Sequence, residues 1–282
     1  MIIKTLDQFQ KAIPTAVAIS NFADVEPYIR SAEMWIKNRV LGTDLYDFLD
    51  NDESSTDENT DVLLLSANVI ANHAFWEAIP FLDLVLTDSG FAVISANNKL
   101  PASKERVERL REQCLLRRDS ETELLIEYLE NHIEYHDDWK SSPAYSILTD
   151  CLIRTATELQ QYGDWEGSRR EFMKLKPKLI HETMTRLEPI FSKELIEDLI
   201  ELQRDGDLDG DNLKVATQLK WVLGCLVNGN IEAAEKIAAD ALRYIDANIE
   251  SFPLYEDSQE YLARNTAGFE NSADSPIFNS IW

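Results

Sequence analysis

Cysteine, glycine and proline are scarce in this sequence. Its 282 residues contain three Cys, nine Gly and nine Pro. The cysteines, Cys114, Cys151 and Cys225, are far apart and odd in number, and each lies in an apolar stretch where a free thiol behaves as a small hydrophobic group. Because they form no disulfide framework, we expect a protein of a reducing compartment.

Positive charge is also in short supply. Lys and Arg total 27 against 51 Asp and Glu, which gives a formal net charge of -24 at pH 7. Such a charge repels phosphate backbones and anionic lipid headgroups, so we expect no direct binding to nucleic acid. The opening segment MIIKTLDQFQ turns polar too early for a signal peptide, and the longest apolar run is shorter than a membrane span. We therefore expect neither secretion nor membrane insertion.

Apolar residues recur at intervals of three and four along most of the chain. This spacing is typical of helices that bury one face, and the scarcity of Gly and Pro leaves it uninterrupted. The sequence therefore predicts an all-α, multi-helix bundle. A first helix is expected to end at Gly42, and residues 61–86, apolar on nearly every face, are expected to form the central helix. Further helices are predicted at about 43–49, 102–117, 120–136, 144–161, 165–186, 188–204, 213–228 and 230–248.

Breaks in this pattern divide the chain into three regions. Residues 1–140 are predicted to form one helical half, residues 141–264 a second half, and residues 265–282 an extended C-terminal tail. In the first half, residues 87–101 interrupt the helical period with Gly and Pro and are predicted to form a protruding loop. Apolar residues within this loop predict one short β-like hairpin near 90–98.

The two halves contain similar segments at an offset of 150 residues. The segment PYIRSAEMWIKNRVLGTDLYDFL, from Pro27, aligns without gaps on PKLIHETMTRLEPIFSKELIEDL, from Pro177, and both then enter an acidic loop before a strongly apolar helix. Two interpretations stay open: a true duplication that makes the halves similar, or two amphipathic helices that match by chance. The matched pairs are Pro27 with Pro177, Met34 with Met184, Val40 with Ile190, Leu41 with Phe191, Leu45 with Leu195 and Leu49 with Leu199.

The segment RDGDLDGDNL, residues 204–213, has the entry half of an EF-hand calcium loop. Carboxylates stand at the first, third and fifth ligand positions, and the sixth position has the required Gly. The twelfth position, which needs a bidentate Glu, is Ala216. The pattern therefore offers a weak calcium site or, alternatively, a polar connection in which Gly ends one helix and Asp or Asn caps the next. The candidate calcium ligands are Asp205, Asp207 and Asp209.

A second candidate metal site contains two histidines. His132 and His136 have the spacing of two zinc ligands on one helical face, and Asp137 or Asp138 can supply a third ligand. Glu134, however, does not follow the first His directly, as the metalloprotease motif requires. Since both histidines continue an apolar stripe, the alternative is a pair of partly buried core histidines near a helix end.

No catalytic constellation stands out in the sequence. No Ser lies in a G-x-S-x-G elbow, no glycine-rich phosphate loop is present, and no basic pattern flanks the cysteines. Acidic pairs are too numerous to be informative. We therefore expect a non-enzymatic protein with no catalytic residues and no cofactor.

Two apolar segments favour binding to other proteins. The tail ends in SPIFNSIW, whose large apolar groups either pack back on their own domain or dock into a partner. The loop segment FAVISANN can add a strand to a neighbouring subunit or fold onto its own bundle. The candidate partner-binding residues are Phe91, Val93, Ile94, Phe278, Ile281 and Trp282.

Three stretches resemble an uncharacterised bacterial family that is often found in prophage-like elements. They are NFADVEPYIRSAEMWIKNRVLGTDLYDFL at 21–49, DSGFAVISANNKLPAS at 88–103 and SRREF at 168–172, and the resemblance covers most of the chain. The first stretch is also similar to the helical head-tail connector, or adaptor, proteins of tailed phages. Their domains open with a Y-I-x-x-A helix that a second helix follows.

The resemblance to connectors implies a non-enzymatic, ring-forming subunit between portal and tail. Its partners would be copies of itself or portal and tail proteins, bound through loops and the C-terminal tail, in the cytoplasm of a bacterial host or in the virion. Two tandem domains would depart from the usual single-domain connector. The alternative, from another class of function, is a cytoplasmic metal- or calcium-binding helical module.

Overall fold

The structure is a computed structural model, and it describes residues 1–51, 59–82, 84–87, 90–93 and 102–265. Within 84–87 and 90–93 it describes the backbone alone. Outside one two-stranded hairpin, the regular elements of the described residues are all helices. The prediction of an all-α, multi-helix bundle is therefore confirmed.

The chain divides into two compact units, Met1–Lys176 and Pro177–Trp282. This division lies later than the boundary that we expected between residues 140 and 141. Residues beyond 140 belong to the first unit because they pack on its core. The helix Pro143–Leu148 packs against residues Lys37–Leu41, and the Arg154 Nη1 atom donates to the Glu130 carboxylate at 3.3 Å.

The helices of the first unit surround one long apolar helix. They are α1 (Leu6–Ala12), α2 (Glu26–Ile36), α3 (Thr43–Asp50), α4 (Thr60–Ala78), α5 (Lys104–Asn131), α6 (His136–Lys140), α7 (Pro143–Leu148), α8 (Ala156–Gly163) and α9 (Arg169–Glu182), which contains the division between the units. A π-helical segment, Lys37–Leu41, continues α2. Helix α4 packs against both α2 and α5 and buries residues on several faces, as predicted for the central helix.

Helix α4 ends earlier than the predicted limit at residue 86. Its last residue is Ala78, and a 3₁₀ turn, Ile79–Phe81, follows. The reason is Pro80, which has no backbone N–H to donate to the Trp76 carbonyl, so the α-helical hydrogen-bond pattern stops there. The segment Thr60–Phe81 is nevertheless long and apolar enough, by length and composition alone, to span a membrane, contrary to our expectation. A core helix passes the same test, and 61% of its most apolar window is buried.

A β-hairpin follows the central helix. Strand β1 (Leu84–Thr87) pairs antiparallel with strand β2 (Gly90–Val93), with Leu84 opposite Val93. We predicted this hairpin near 90–98; the observed strands begin earlier, and residues 94–98 lie outside the described residues. The prediction missed β1 because its aliphatic residues continued the apolar run of α4.

Helix α5 is continuous, whereas two helices were predicted at 102–117 and 120–136. No Gly or Pro interrupts Lys104–Asn131, so nothing in the backbone requires a break between them. The helix also ends earlier, at Asn131, and His132 already has non-helical backbone angles (φ -120°, ψ 95°).

The second unit is built around a pair of long helices. Its elements after α9 are a π-helical segment (Thr183–Leu187), α10 (Glu188–Phe191), α11 (Lys193–Asp205), α12 (Gly210–Val227), α13 (Ile231–Ala247), α14 (Pro253–Glu256) and α15 (Gln259–Asn265). Helix α12 packs against α13, and α11 packs against α14. The Tyr255 hydroxyl donates to the Ile190 carbonyl at 2.9 Å and so ties α14 to α10.

The two units share a helical module at the offset of 150 residues that the sequence suggested. In each, a helix with a π-helical segment ends at a sharp break, an amphipathic helix follows, and a long apolar helix comes next. Helices α3 and α11 begin at Thr43 and Lys193, and helices α4 and α12 begin at Thr60 and Gly210, so both pairs keep the offset. The modules differ afterwards, because residues 79–103 connect the long helices of the first, whereas residues 228–230 connect those of the second.

The break itself has the same backbone conformation in both modules. Gly42 has φ 79° and ψ 173°, and Ser192 has φ 63° and ψ 154°. This region of the backbone map is nearly restricted to Gly. At Gly42 a Cβ atom would also lie 2.3 Å from the Ser142 Cβ. Ser192 is fully buried, and its hydroxyl accepts a hydrogen bond from the Leu195 amide at 3.2 Å.

Replacing Ser192 by Gly should stabilise the protein. The exchange removes backbone strain of about 1–3 kcal/mol at the cost of a few tenths for the lost helix cap, so we expect the free energy of unfolding to rise by about 1 kcal/mol. Urea unfolding measures it. The control, Ser192→Ala, keeps the strain and loses the cap, and should lower the free energy of unfolding by about 1 kcal/mol. Equal effects of Gly and Ala would contradict this account of the break.

Candidate functional site

The structure places the aspartates of the predicted calcium loop in a helix-to-helix connection. Asp205 ends α11, Gly206 follows with φ 86° as its C-cap, and Asp209 is the N-cap residue of α12. The Gly206 and Asp207 amides both donate to the Leu202 carbonyl, at 3.1 and 2.9 Å. Backbone capping therefore accounts for the glycine and the turn, as in the alternative interpretation of the segment.

The two predicted zinc-binding histidines do not share a helix. His132 follows the last residue of α5, and His136 is the first residue of α6, because a 3₁₀ turn intervenes. The His132 Nδ1 atom lies 2.7 Å from the Tyr128 carbonyl, and its ring stacks on the Tyr128 ring at 3.7 Å between centroids. The His136 Nε2 atom lies 3.1 Å from the Leu129 carbonyl. Both rings thus contact backbone carbonyls at the end of α5.

Across the described part of the chain, no three His, Cys, Asp or Glu side chains are grouped closely enough to hold a metal ion. The structure therefore does not bring Asp205, Asp207 and Asp209 together as ligands. Among the described residues it also supplies no third ligand beside His132 and His136.

The predicted partner-binding residues lie mostly outside the described residues. Phe91 and Val93 belong to strand β2, which is described by its backbone alone. Ile94 and the three tail residues Phe278, Ile281 and Trp282 lie beyond the described ranges. Their role in partner binding stays a prediction.

The first unit contains a cavity of about 290 Å³ that is lined by arginines and apolar side chains. We call it the arginine cavity. Four segments form it: the end of α2 with the π-helical segment, the middle of α5, helix α7 and the start of α9. Its apolar wall includes Trp35, Ile147 and Met173. Its cationic residues are Arg39, Arg118, Arg169 and Arg170.

Arg118 is buried in the wall of the arginine cavity and is held there by Asp119, its neighbour on α5. The Arg118 Nε and Nη2 atoms donate to the Asp119 Oδ1 atom at 3.0 and 2.5 Å. The guanidinium group also lies 4.8 Å from the centre of the Trp35 ring, a cation–π contact. The second Asp119 oxygen, Oδ2, accepts from the backbone amide of Arg170 at 3.3 Å, which joins α5 to the start of α9.

Two of the other arginines of the cavity are paired with acidic residues of α5. The Arg169 Nη1 atom donates to Glu123 at 2.5 Å, and the Arg170 Nη2 atom donates to Glu112 at 2.9 Å. Arg39 differs because no carboxylate of a described residue lies within salt-bridge distance of its side chain, which is exposed at the cavity.

His73, on α4, lies behind the cavity against Arg118 and Trp35. Its ring centroid is 4.8 Å from that of Trp35, and the Arg118 Nη1 atom is 3.5 Å from its Nδ1 atom. Burial and the positive charge of Arg118 lower the pKa of His73 to about 4. The Glu77 carboxylate, 3.5 Å from Nε2, favours the charged ring, but it is partly solvated and does not offset the burial. His73 is therefore neutral at pH 7.

The buried thiols are poor nucleophiles. Burial raises the pKa of Cys114 to about 11 and that of Cys151 to about 12, so both remain protonated at neutral pH. The Cys151 thiol also donates to the Ile153 carbonyl at 2.7 Å. For Cys114 and Cys151, this burial agrees with the prediction that the cysteines behave as small hydrophobic groups; Cys225 is only partly buried.

Sequence reasoning missed the arginine cavity because its residues come from four distant segments. Periodicity identifies the buried face of a helix but not the helices that it meets. The one available signal was the clustering of arginines in RRDS at 117–120 and SRREF at 168–172 within a strongly acidic chain.

His73 should make the stability of the protein depend on pH. Because its pKa is about 4 in the folded protein and 6.5 in the unfolded chain, the unfolded chain binds more protons between these values. Stability should thus fall as the pH falls from 6.5 towards 4, by about 3 kcal/mol in total. Urea unfolding of His73→Gln should show a shallower loss over this window. The control is exposed His181→Gln, which should retain the full loss; an unchanged slope in His73→Gln would contradict the burial argument.

Comparison with known proteins identifies one family. The sequence model of DUF6712, a family of unknown function, matches residues 38–147 and 211–265. The first segment contains α3, α4, α5 and Arg39 and Arg118 of the cavity, and the second contains most of α12 and all of α13. No curated protein and no solved structure shows a significant match.

Proposed function

Because this chain belongs to the DUF6712 family, whose function is unknown, we propose a function from its geometry. We infer that it is a non-enzymatic, all-helical assembly protein that binds other protein subunits, in the manner of a head-tail connector of a tailed phage. Copies of itself are the first partners, and portal or tail proteins are the others. It would act in the cytoplasm of a bacterial host or in the virion.

The observation that carries this proposal is an exposed methionine at the same position of both helical modules. Met34 on α2 is 57% exposed, and Met184, at the offset of 150 residues, is 58% exposed. Methionine is flexible and polarizable, and it is common at surfaces that bind other proteins. A chain that presents the same apolar surface residue twice can bind other subunits in the same way through each of its two modules.

The charge of the chain supports the same proposal. A net charge of -24 repels the phosphate backbone of DNA. A connector ring surrounds a channel through which DNA passes, so a repulsive wall would keep the DNA from binding on its way. In such a ring, the two tandem modules of one chain would replace two neighbouring subunits.

The hairpin and the tail supply further contacts in this proposal. Phe91, Val93 and Ile94 would extend a neighbouring subunit's surface by strand addition. Phe278, Ile281 and Trp282 would dock as apolar anchors.

Replacing the two exposed apolar methionines, Met34 and Met184, by charged residues should weaken assembly. We expect the full chain to form an oligomer whose mass, measured by light scattering over a range of concentrations, falls in the double variant Met34→Glu, Met184→Glu. Both side chains are exposed, so folding should be unaffected. The control is Ile133→Glu, because Ile133 is 80% exposed and lies after α5, outside the repeated helical module.

A version that ends at Arg264 tests the tail separately. Partial dissociation would place Phe278, Ile281 and Trp282 at subunit contacts. A full chain that remains a monomer at every concentration would contradict self-assembly, and an oligomer unaffected by the methionine substitutions would contradict the surface that we assign.

A further inference from the structure

We propose that the arginine cavity is a binding site for a carboxylate group carried on a compact apolar body. The cavity lies wholly within the first unit, between the π-helical segment, α5, α7 and α9. The proposal stands on its shape, its lining and its charge.

The charge of the cavity lining suits a ligand with one negative charge. Asp119, Glu123 and Glu112 each neutralise one arginine of the lining, namely Arg118, Arg169 and Arg170. Arg39 is left with no such partner among the described residues. The lining therefore has one uncompensated positive charge, in a protein whose net charge is -24. A single arginine held apart from so many carboxylates is available to bind an anion from outside.

The chemistry of guanidinium groups favours a carboxylate. Their planar fork of donors matches the two oxygens of a carboxylate or of a phosphate. A phosphate carries close to two negative charges, whereas the lining offers one uncompensated positive charge. A monoanion fits the one free positive charge.

The apolar wall and the volume limit the rest of the ligand. At about 290 Å³ the cavity is at the lower end of the range for small-molecule sites. Trp35, Ile147 and Met173 can contact a short apolar ligand, while the carboxylate of that ligand faces Arg39. The amide of Asn38, which also lines the cavity, is a further donor near the same end.

Two sources of such a carboxylate are chemically equivalent at this site. One is a free organic acid, and the other is an Asp or Glu side chain of a second copy of this chain, an interpretation that rests on the proposed assembly function. The chain contains 51 acidic residues, so a second copy offers abundant candidates.

Titration of the full chain with benzoate at constant ionic strength tests the proposal. Ligand-detected NMR should show saturable binding of benzoate, and no binding of the uncharged benzamide. In Arg39→Gln the dissociation constant should rise about tenfold or more, since one hydrogen-bonded charged group is lost. Arg109→Gln, which removes an exposed arginine elsewhere on α5, should bind benzoate as the unmodified protein does.

The solution mass of the protein, measured with and without saturating benzoate, distinguishes the two sources. A fall in mass would show that benzoate displaces an acidic side chain of another copy, and Arg39→Gln should then lower the mass in the same way. An unchanged mass together with Arg39-dependent binding would assign the cavity to a free acid.

Three results would overturn the proposal: no saturable benzoate binding, equal binding of benzamide, or equal affinity in Arg39→Gln. None of them affects the proposed assembly function. An oligomer that depends on Met34 and Met184 but not on Arg39 would leave that function in place and remove the carboxylate site alone.

Discussion

The fold of each unit depends on the burial of one long helix that is too apolar to be exposed to water. Helix α4 buries residues on nearly every face, and α12 has eight buried residues, Val215, Ala216, Leu219, Lys220, Val222, Leu223, Gly224 and Leu226. Burial of one large aliphatic side chain is worth about 1.5–3 kcal/mol, so helices of this kind fold only with other helices around them. Helices α2 and α5 supply the cover in the first unit, and α13 supplies it in the second. The sharp breaks at Gly42 and Ser192 let the chain enter this arrangement in the same way twice.

At the arginine cavity, the helices that cover α4 bury a charged side chain at the edge of the core. Arg118 is buried beside His73 and Trp35, and a buried guanidinium group is tolerated only when it is paired and hydrogen-bonded. Asp119 meets both needs with one oxygen and uses the other to hold the start of α9. The same carboxylate therefore compensates a charge and fixes the geometry of the cavity. The neutral state of His73 belongs to this arrangement, because burial and the positive charge of Arg118 both disfavour a protonated ring there.

Much of the fold was predictable from the sequence, but the candidate site was not. Helical spacing predicted the bundle and the central helix, and the match at an offset of 150 residues pointed to the repeated module. Ser192 gave no signal of a break, because only Gly usually adopts its backbone conformation, and the interruption of the predicted helix 188–204 was missed for that reason. The cavity could not be found, since Arg39, Arg118 and Arg169 meet only after folding. Helical periodicity assigns faces, whereas the site depends on which faces meet.

The connection between the long helices differs between the modules, and this difference has a practical consequence. Residues 79–103 join α4 to α5, whereas Asn228, Gly229 and Asn230 suffice to join α12 to α13. In effect, the first module is a natural insertion variant of the second: the same pair of helices forms with or without a hairpin between them. Loop closure becomes only slightly more costly as a connection lengthens. The short turn at Gly229 is therefore a suitable place to insert a peptide tag or a fluorescent reporter while keeping the helix pair intact.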